Sequence, residues 1–162
     1  MRVRWASAPT FVLAAVAVFL AGVLQNTGVF SVAGVRPNFI LAAVIASAFF
    51  VREWVPYLVL LLMAGVLLRF ASGFDAGAIA VVGFGAAAFF AQPWLPGRPV
   101  VASTMVIAVA TAAVYAIVDP AFAAANAGVL AIEAACNVLI GAVLLLGMHG
   151  TLGNDKKIRT TI

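Results

Sequence analysis

Apolar residues fill six long runs of the chain, and short stretches with polar or glycine residues separate them. We predict six membrane-spanning helices, at about 9–26, 37–51, 56–71, 74–92, 99–118 and 127–148. The second and third runs are short for a hydrocarbon core of about 30 Å, because a helix rises about 1.5 Å per residue. Either the bilayer thins there or the flanks 28–36 and 52–55 extend these helices.

Proline residues mark the edges of these runs, and none lies in the middle of one. Proline is tolerated in the first helical turn and breaks a helix interior. The prolines therefore predict the same segments as the hydropathy; they are Pro9, Pro37, Pro56, Pro93, Pro96, Pro99 and Pro120.

The composition sets the class of protein. Of 162 residues, 66% are hydrophobic and 9% are charged, whereas a soluble domain carries about 25% charged residues. The mean hydropathy is +1.22. We predict an all-α integral membrane bundle, with one domain of six helices at 1–150 and a basic tail at 151–162. The connections are too short for a separate catalytic domain.

The charges predict the orientation of the bundle. The net charge is +4, but the basic residues are scattered and form no stripe for nucleic acid. With a cytoplasmic N-terminus, only Arg36 and Arg69 fall on the outer side. The positive-inside rule then places both termini in the cytoplasm. The inner side holds Arg2, Arg4, Arg52, Arg98, Lys156, Lys157 and Arg159, together with Trp5, Trp54 and Trp94 at the membrane interface.

Both ends of the chain leave alternatives open. The basic start followed by an apolar run resembles a signal peptide, but five further spans favour an uncleaved first helix. The basic tail is either a topology anchor or a binding site for a cytoplasmic protein. The loop 27–36 either dips into the membrane or lies flat on it.

Glu133 is the residue that most needs an explanation, because it lies about two turns inside the sixth span. A carboxylate at mid-span costs roughly 2.5–3.5 kcal/mol, so we expect Glu133 to face the interior and have a partner. Asn137 shares its helix face, and Arg69 is the natural charge partner, for which Asp75 competes. The cluster is an internal polar clamp, a proton- or substrate-handling site, or a contact to a partner's membrane helix.

Small residues predict where helices approach closely. Gly73, Gly77, Ala80 and Ala87 share one face of the fourth span, and Gly65 lies in the third. In lipid, such faces let backbones pack together. This face serves either packing within the chain or an interface with a partner.

The motifs of soluble enzymes are missing from the sequence. It contains no Gly-x-Ser-x-Gly elbow, no phosphate-binding loop and no zinc-ligand spacing. One cysteine, Cys136, and one histidine, His149, give no support for a metal site. We predict a non-enzymatic protein without cofactor or metal.

Two short motifs resemble the MreD family of bacterial rod shape-determining membrane proteins. Leu24-Gln25, a short loop and the segment 35–41 with Pro37-Asn38 match the end of that family's first span and the start of its second. Gly65, Gly73 and Gly77 match a glycine pattern across the third and fourth spans. Arg69 occupies the position that the family often keeps as aspartate, which reverses the charge there. Asn137 also lies where the family tends to have asparagine.

The resemblance implies a scaffold in the bacterial inner membrane that takes part in cell elongation. Its expected partner is an MreC-like single-span protein, with indirect links to an MreB-like filament and to peptidoglycan synthases. Nucleic acid is not an expected partner, and the lipid bilayer is.

A second interpretation comes from a different class of protein. MreD-type proteins are similar in fold to the substrate-binding subunits of energy-coupling-factor vitamin transporters, and Ala17-x-x-x-Ala21 fits their docking pattern. A binding subunit needs a polar pocket of several hundred Å³ that opens outward, whereas a scaffold needs an open apolar face with small residues. A third possibility is a small membrane protein with some other partner. The polar outer residues are Asn26, Arg36, Arg69, Asp75, Asp119, Asn126 and Glu133.

Overall fold

The computed structural model describes residues 8–32, 34–72 and 76–158, and the side chains of all of these except 69–72 and 151–158. This part of the chain is helical apart from its short connections, so the all-α prediction is confirmed. The helices are α1 (Ala8–Thr27), α2 (Phe39–Ala48), α3 (Trp54–Ser72), α4 (Ala76–Ala91), α5 (Pro99–Val118), α6 (Pro120–Ala125) and α7 (Ala127–Ile158), with a 3₁₀ turn at Gln92–Trp94.

Within residues 8–32, 34–72 and 76–158, four segments are long and apolar enough to cross a membrane. They are α1, α4 with its following turn (Ala76–Trp94), α5, and Ala127–Gly150 of α7. The chain is therefore a membrane protein by helix length and hydropathy. Helix α2 is shorter, as the short second run indicated. Helix α3 has 19 residues, of which Trp54–Leu68 form the described apolar part, and it begins two residues before the predicted third span.

Helix α2 forms the centre of the bundle. Nine of its ten residues are buried, and α1, α3, α4, α5 and α7 all pack against it. It is shorter than the predicted 37–51 for two local reasons. Asn38 begins it by accepting a hydrogen bond from the Leu41 amide, and the chain turns after Ala48, where the Val51 amide donates to the Ser47 carbonyl. Ten residues span about 15 Å, half of the hydrocarbon core.

Tyr57 of α3 connects α3 with α2 and α4. Its hydroxyl donates to the Gly85 carbonyl of α4 at 2.8 Å, and the Val44 carbonyl of α2 lies at 3.2 Å. Only a glycine at position 85 leaves room for Tyr57 to approach α4. A Cβ atom there would lie 2.8 Å from Leu61 Cδ2 and 3.2 Å from the Tyr57 hydroxyl, which is too close for ordinary packing. A buried hydroxyl needs such a partner, so the contact fixes how α3 lies on α2 and α4.

Two larger differences from the prediction lie after α5. Asp119 begins the additional helix α6 by accepting a hydrogen bond from the Phe122 amide at 2.9 Å. Helix α7 continues to Ile158, so it includes the first residues of the predicted tail.

The helix ends and the turns between helices gather at two ends of the bundle, which we name after Glu133 and Trp54. The Glu133 end holds the end of α1, the start of α2 and the α5–α7 connection. The Trp54 end holds the turns 49–53 and 92–98, and there His149 of α7 packs against Phe50.

Candidate functional site

Glu133 and Asn137 form a polar ladder with two residues of α5. Glu133 is only 3% exposed, and its Oε2 atom accepts a hydrogen bond from the Tyr115 hydroxyl at 2.6 Å. One turn further along α7, the Asn137 amide donates to Thr111 Oγ1 at 3.0 Å. The Thr111 hydroxyl donates in turn to the Ile107 carbonyl at 2.9 Å. These bonds join α5 and α7, which pack against each other more extensively than any other helix pair among the described residues.

The sequence suggested Arg69 as the partner of Glu133, and the structure gives Tyr115. The side chain of Arg69 lies outside the described residues, as do Asp75 and Gly73, so the pairing of Arg69 with Glu133 stays a prediction. Helix α3, which ends near Arg69, packs against α1, α4 and α2. Asn137 Oδ1 is buried and has no hydrogen-bond partner in the described part of the chain.

Tyr115 and Thr111 were missed in the sequence, although a signal for them was present. They are four residues apart on α5, as Glu133 and Asn137 are on α7. Residues with this spacing share a helix face, and an antiparallel hairpin of two such helices brings the pairs together in this order. If α5 and α7 are taken as antiparallel neighbours, the spacing alone pairs Tyr115 with Glu133 and Thr111 with Asn137.

A polar cavity of about 260 Å³ lies at the Glu133 end. Glu133 and Tyr115 form one wall, while residues from the end of α1 and from the segment before α2 form the others. Leu24, Phe30 and Phe39 give it an apolar side. The polar residues that line it are Gln25, Arg36, Asn38, Tyr115 and Glu133.

Two capping side chains hold the segment before α2 in place. Gln25 Oε1 accepts a hydrogen bond from the Ile40 amide at 2.9 Å, and Asn38 Oδ1 accepts one from the Leu41 amide at 3.0 Å. Both bonds satisfy amide groups that the first turn of a helix leaves free. Gln25 from the end of α1 and Asn38 from the segment before α2 therefore both cap the start of α2.

Arg36 reaches the cavity across a tight loop. Gly28 adopts a left-handed conformation with φ of +62°, and a Cβ atom there would lie 3.4 Å from Arg36 Nη1. Further along, Val32 and Val35 exchange two backbone hydrogen bonds of 2.9 Å each. Glycine at 28 thus suits both the backbone conformation and the arginine that packs on it.

The second feature is the α4–α5 groove, an apolar groove on the surface between α4 and α5. It consists of two adjoining hollows of about 410 Å³ and 430 Å³, which share Phe84 and Ala87. It runs from Ala76 and Ile117 at the Glu133 end to Leu95 and Pro96 at the Trp54 end. Its other lining residues are Ile79, Ala80, Gly83, Ala88, Ala91, Ala102, Met105, Val106, Val109 and Ala110.

The predicted small-residue face is divided between packing and this groove. Ala80 lines the groove, and Gly77 is half-buried. Gly65 instead faces α4, where a Cβ atom would lie 3.6 Å from Val82 Cγ2. Both interpretations of the small face, packing and an exposed interface, therefore have residues that fit them.

Comparison with protein-family models, with curated proteins and with solved structures gives no significant match for this chain. The class that the fold defines is a helical membrane protein with an open apolar groove and a polar cavity at one end. Its function is therefore inferred from the groove and the cavity.

Proposed function

We propose that this protein is a non-catalytic scaffold subunit of the bacterial cell-elongation complex, and that the α4–α5 groove receives the single membrane helix of an MreC-like partner. The groove is the observation that carries the proposal. Its lining is apolar along both hollows, so its occupant has an apolar surface over the same length.

The dimensions of the groove fit a membrane helix. Helix α4 has 16 residues and thus spans roughly 24 Å, most of the hydrocarbon core. Ala76, Ala80, Gly83, Ala87 and Ala91 follow one another at intervals of three or four residues along it. Small residues at this spacing let a second helix approach closely, and in lipid such packing is a main source of helix association.

The remaining features of the proposal concern orientation and assembly. Helix α3, together with α2 and the segments that flank α2, completes a bundle of six spans in the bacterial inner membrane, with the Glu133 end on the periplasmic side and both termini in the cytoplasm. The positions of Arg52 and Arg98 at the Trp54 end support this orientation. The partner links the bundle indirectly to an MreB-like filament and to peptidoglycan synthases.

A pull-down of the tagged full-length protein in mild detergent tests the proposal. We expect a single-span protein with a periplasmic coiled coil to co-purify. Ala87→Leu fills the groove where its two hollows meet and reduces recovery of this partner about tenfold, the effect of roughly 1.4 kcal/mol. Ala135→Leu is the matched control, because Ala135 is an exposed alanine on α7. Equal recovery with both variants contradicts the proposal.

A second candidate function has its own observation. The polar cavity at the Glu133 end favours a substrate-binding subunit of an energy-coupling-factor type of transporter, because such a subunit needs a pocket on its outer side. If the same pull-down recovers a pair of ABC-type ATPases with a transmembrane coupling subunit, the scaffold function is wrong and the substrate-binding function takes its place.

A further inference from the structure

We propose that the cavity at the Glu133 end binds a small zwitterion of amino-acid size, with its ammonium group at Glu133 and its anionic group at Arg36. This inference does not depend on the scaffold function, because it concerns a different part of the molecule from the α4–α5 groove. It rests on the charges, burial and size of the cavity.

Glu133 is the group suited to an ammonium ion. Its side chain is 3% exposed and lines the cavity at the same time. The Tyr115 hydroxyl donates to one oxygen and the Asn137 side chain also hydrogen-bonds the carboxylate, whereas a carboxylate offers about four acceptor positions. A buried carboxylate is costly unless it is paired. A primary ammonium group in the cavity supplies both the opposite charge and the missing donors.

Arg36 is the group suited to the anionic part of the ligand. It is exposed, so it lies on the accessible side of the cavity, whereas Glu133 lies on the buried side. Its guanidinium group binds a carboxylate through two parallel hydrogen bonds. Asn38 adds an amide donor, since its Oδ1 atom is already used by the Leu41 amide.

The size and the apolar side of the cavity restrict the ligand further. A volume of about 260 Å³ is just below the range of about 300–1,000 Å³ for drug-sized ligands. The rings of Phe30 and Phe39 meet edge to face, with centroids 6.0 Å apart, and Leu24 lies beside them in the lining. An α-amino acid with an apolar side chain fits all three parts of the cavity.

Opposite charges on the two sides also select against simpler ions. A ligand with an anionic group alone leaves Glu133 unpaired, and one with a cationic group alone leaves Arg36 without its anion. The same zwitterionic chemistry occurs in free amino acids and in the phosphoethanolamine head group of a phospholipid. The test separates these two sources.

Isothermal titration calorimetry on the purified full-length protein in detergent tests the free zwitterion. The probes are L-leucine and L-phenylalanine. N-acetyl-L-leucine lacks the cation and L-leucinamide lacks the anion, so we expect each to bind about tenfold more weakly than L-leucine or worse. Glu133→Gln and Arg36→Gln lower the affinity for L-leucine by a similar factor. Asp119→Asn is the matched control, because Asp119 is an acidic residue at the same end that does not line the cavity.

Native mass spectrometry on the delipidated protein tests the lipid source. Phosphatidylethanolamine retained in preference to phosphatidylglycerol, and lost with Arg36→Gln, supports a lipid head group as the zwitterion. Arg36 is exposed, so its substitution leaves the fold intact even if Glu133→Gln does not. The proposal is overturned if leucine, phenylalanine and phosphatidylethanolamine all fail to bind, or if Arg36→Gln binds them as well as the unaltered protein. Ala87→Leu leaves this binding unchanged, which separates it from the scaffold function.

Discussion

The Tyr115 hydroxyl and the Glu133 carboxylate are joined by a hydrogen bond of 2.6 Å between α5 and α7. The distance is at the short end of the range for O–H···O hydrogen bonds. The Tyr115–Glu133 bond lies one helical turn from the Asn137–Thr111 bond, so the two bonds together fix the register of α5 on α7. The same pair forms the buried wall of the polar cavity.

Tyr115→Phe removes the donor and leaves an oxygen of the buried carboxylate without this partner. We expect a loss of about 1–3 kcal/mol in the free energy of unfolding, the usual cost of an unsatisfied buried group. Thermal unfolding in detergent, followed by circular dichroism, measures it. An unchanged midpoint shows that another group, such as Arg69, satisfies the Glu133 carboxylate.

The Asn137–Thr111 bond is tested by a double-mutant cycle. Thr111→Val removes the acceptor of a fully buried amide, and Asn137→Leu removes that amide. We expect a coupling energy of about 0.6–1.7 kcal/mol, as for other hydrogen bonds between membrane helices. The double variant is less destabilised than the sum of the two single variants. A coupling energy near zero shows that the two side chains do not stabilise each other.

Gly85 and Gly83 offer a matched pair of substitutions on α4. A methyl group at Gly85 meets Leu61 and the Tyr57 hydroxyl, whereas nothing lies within 4 Å of one at Gly83. We expect Gly85→Ala to cost about 1–3 kcal/mol through overpacking. Gly83→Ala is neutral or stabilising by up to about 1 kcal/mol, since alanine favours a helix. Equal unfolding midpoints for the two variants contradict the packing described around Tyr57.

Gln25→Ala tests the capping of α2 by α1. Without the side-chain oxygen, the Ile40 amide loses its partner, and we expect a loss of about 1 kcal/mol. Hydrogen–deuterium exchange then becomes faster in the first turn of α2. Asn26→Ala is the control, because Asn26 donates to the Leu67 carbonyl of α3 instead. Faster exchange with both variants points to a general loss of stability.

Much of the fold could be predicted from hydropathy and proline alone. Helix α5 begins and ends where the sequence indicated, at 99 and 118, because Pro99 starts it in the first turn and Asp119 follows its last residue. The limits of α2 were less predictable. A buried helix has no polar face to mark its ends, and the bonds that begin it come from Asn38 and, across the bundle, from Gln25.

Only two of the four residues of the polar ladder could be predicted from the sequence. Glu133 and Asn137 stand out as polar residues in an apolar run, and both are buried as expected. Their partners could not be chosen from depth alone, since Arg69 and Tyr115 are both near the predicted outer side. Tyr115 is half-buried on an adjacent antiparallel helix, and only the register of α5 on α7 brings it within hydrogen-bonding distance.

Photo-crosslinking in bacterial cells tests the role of the α4–α5 groove most directly. A benzophenone amino acid replaces Met105, which lines the groove and is 65% exposed, or Leu139 on α7, which is 66% exposed. We predict a crosslink from position 105 to a single-span protein with a periplasmic coiled coil, about tenfold stronger than from position 139. Equal crosslinking from both positions, or a product with a transporter coupling subunit, contradicts the scaffold function.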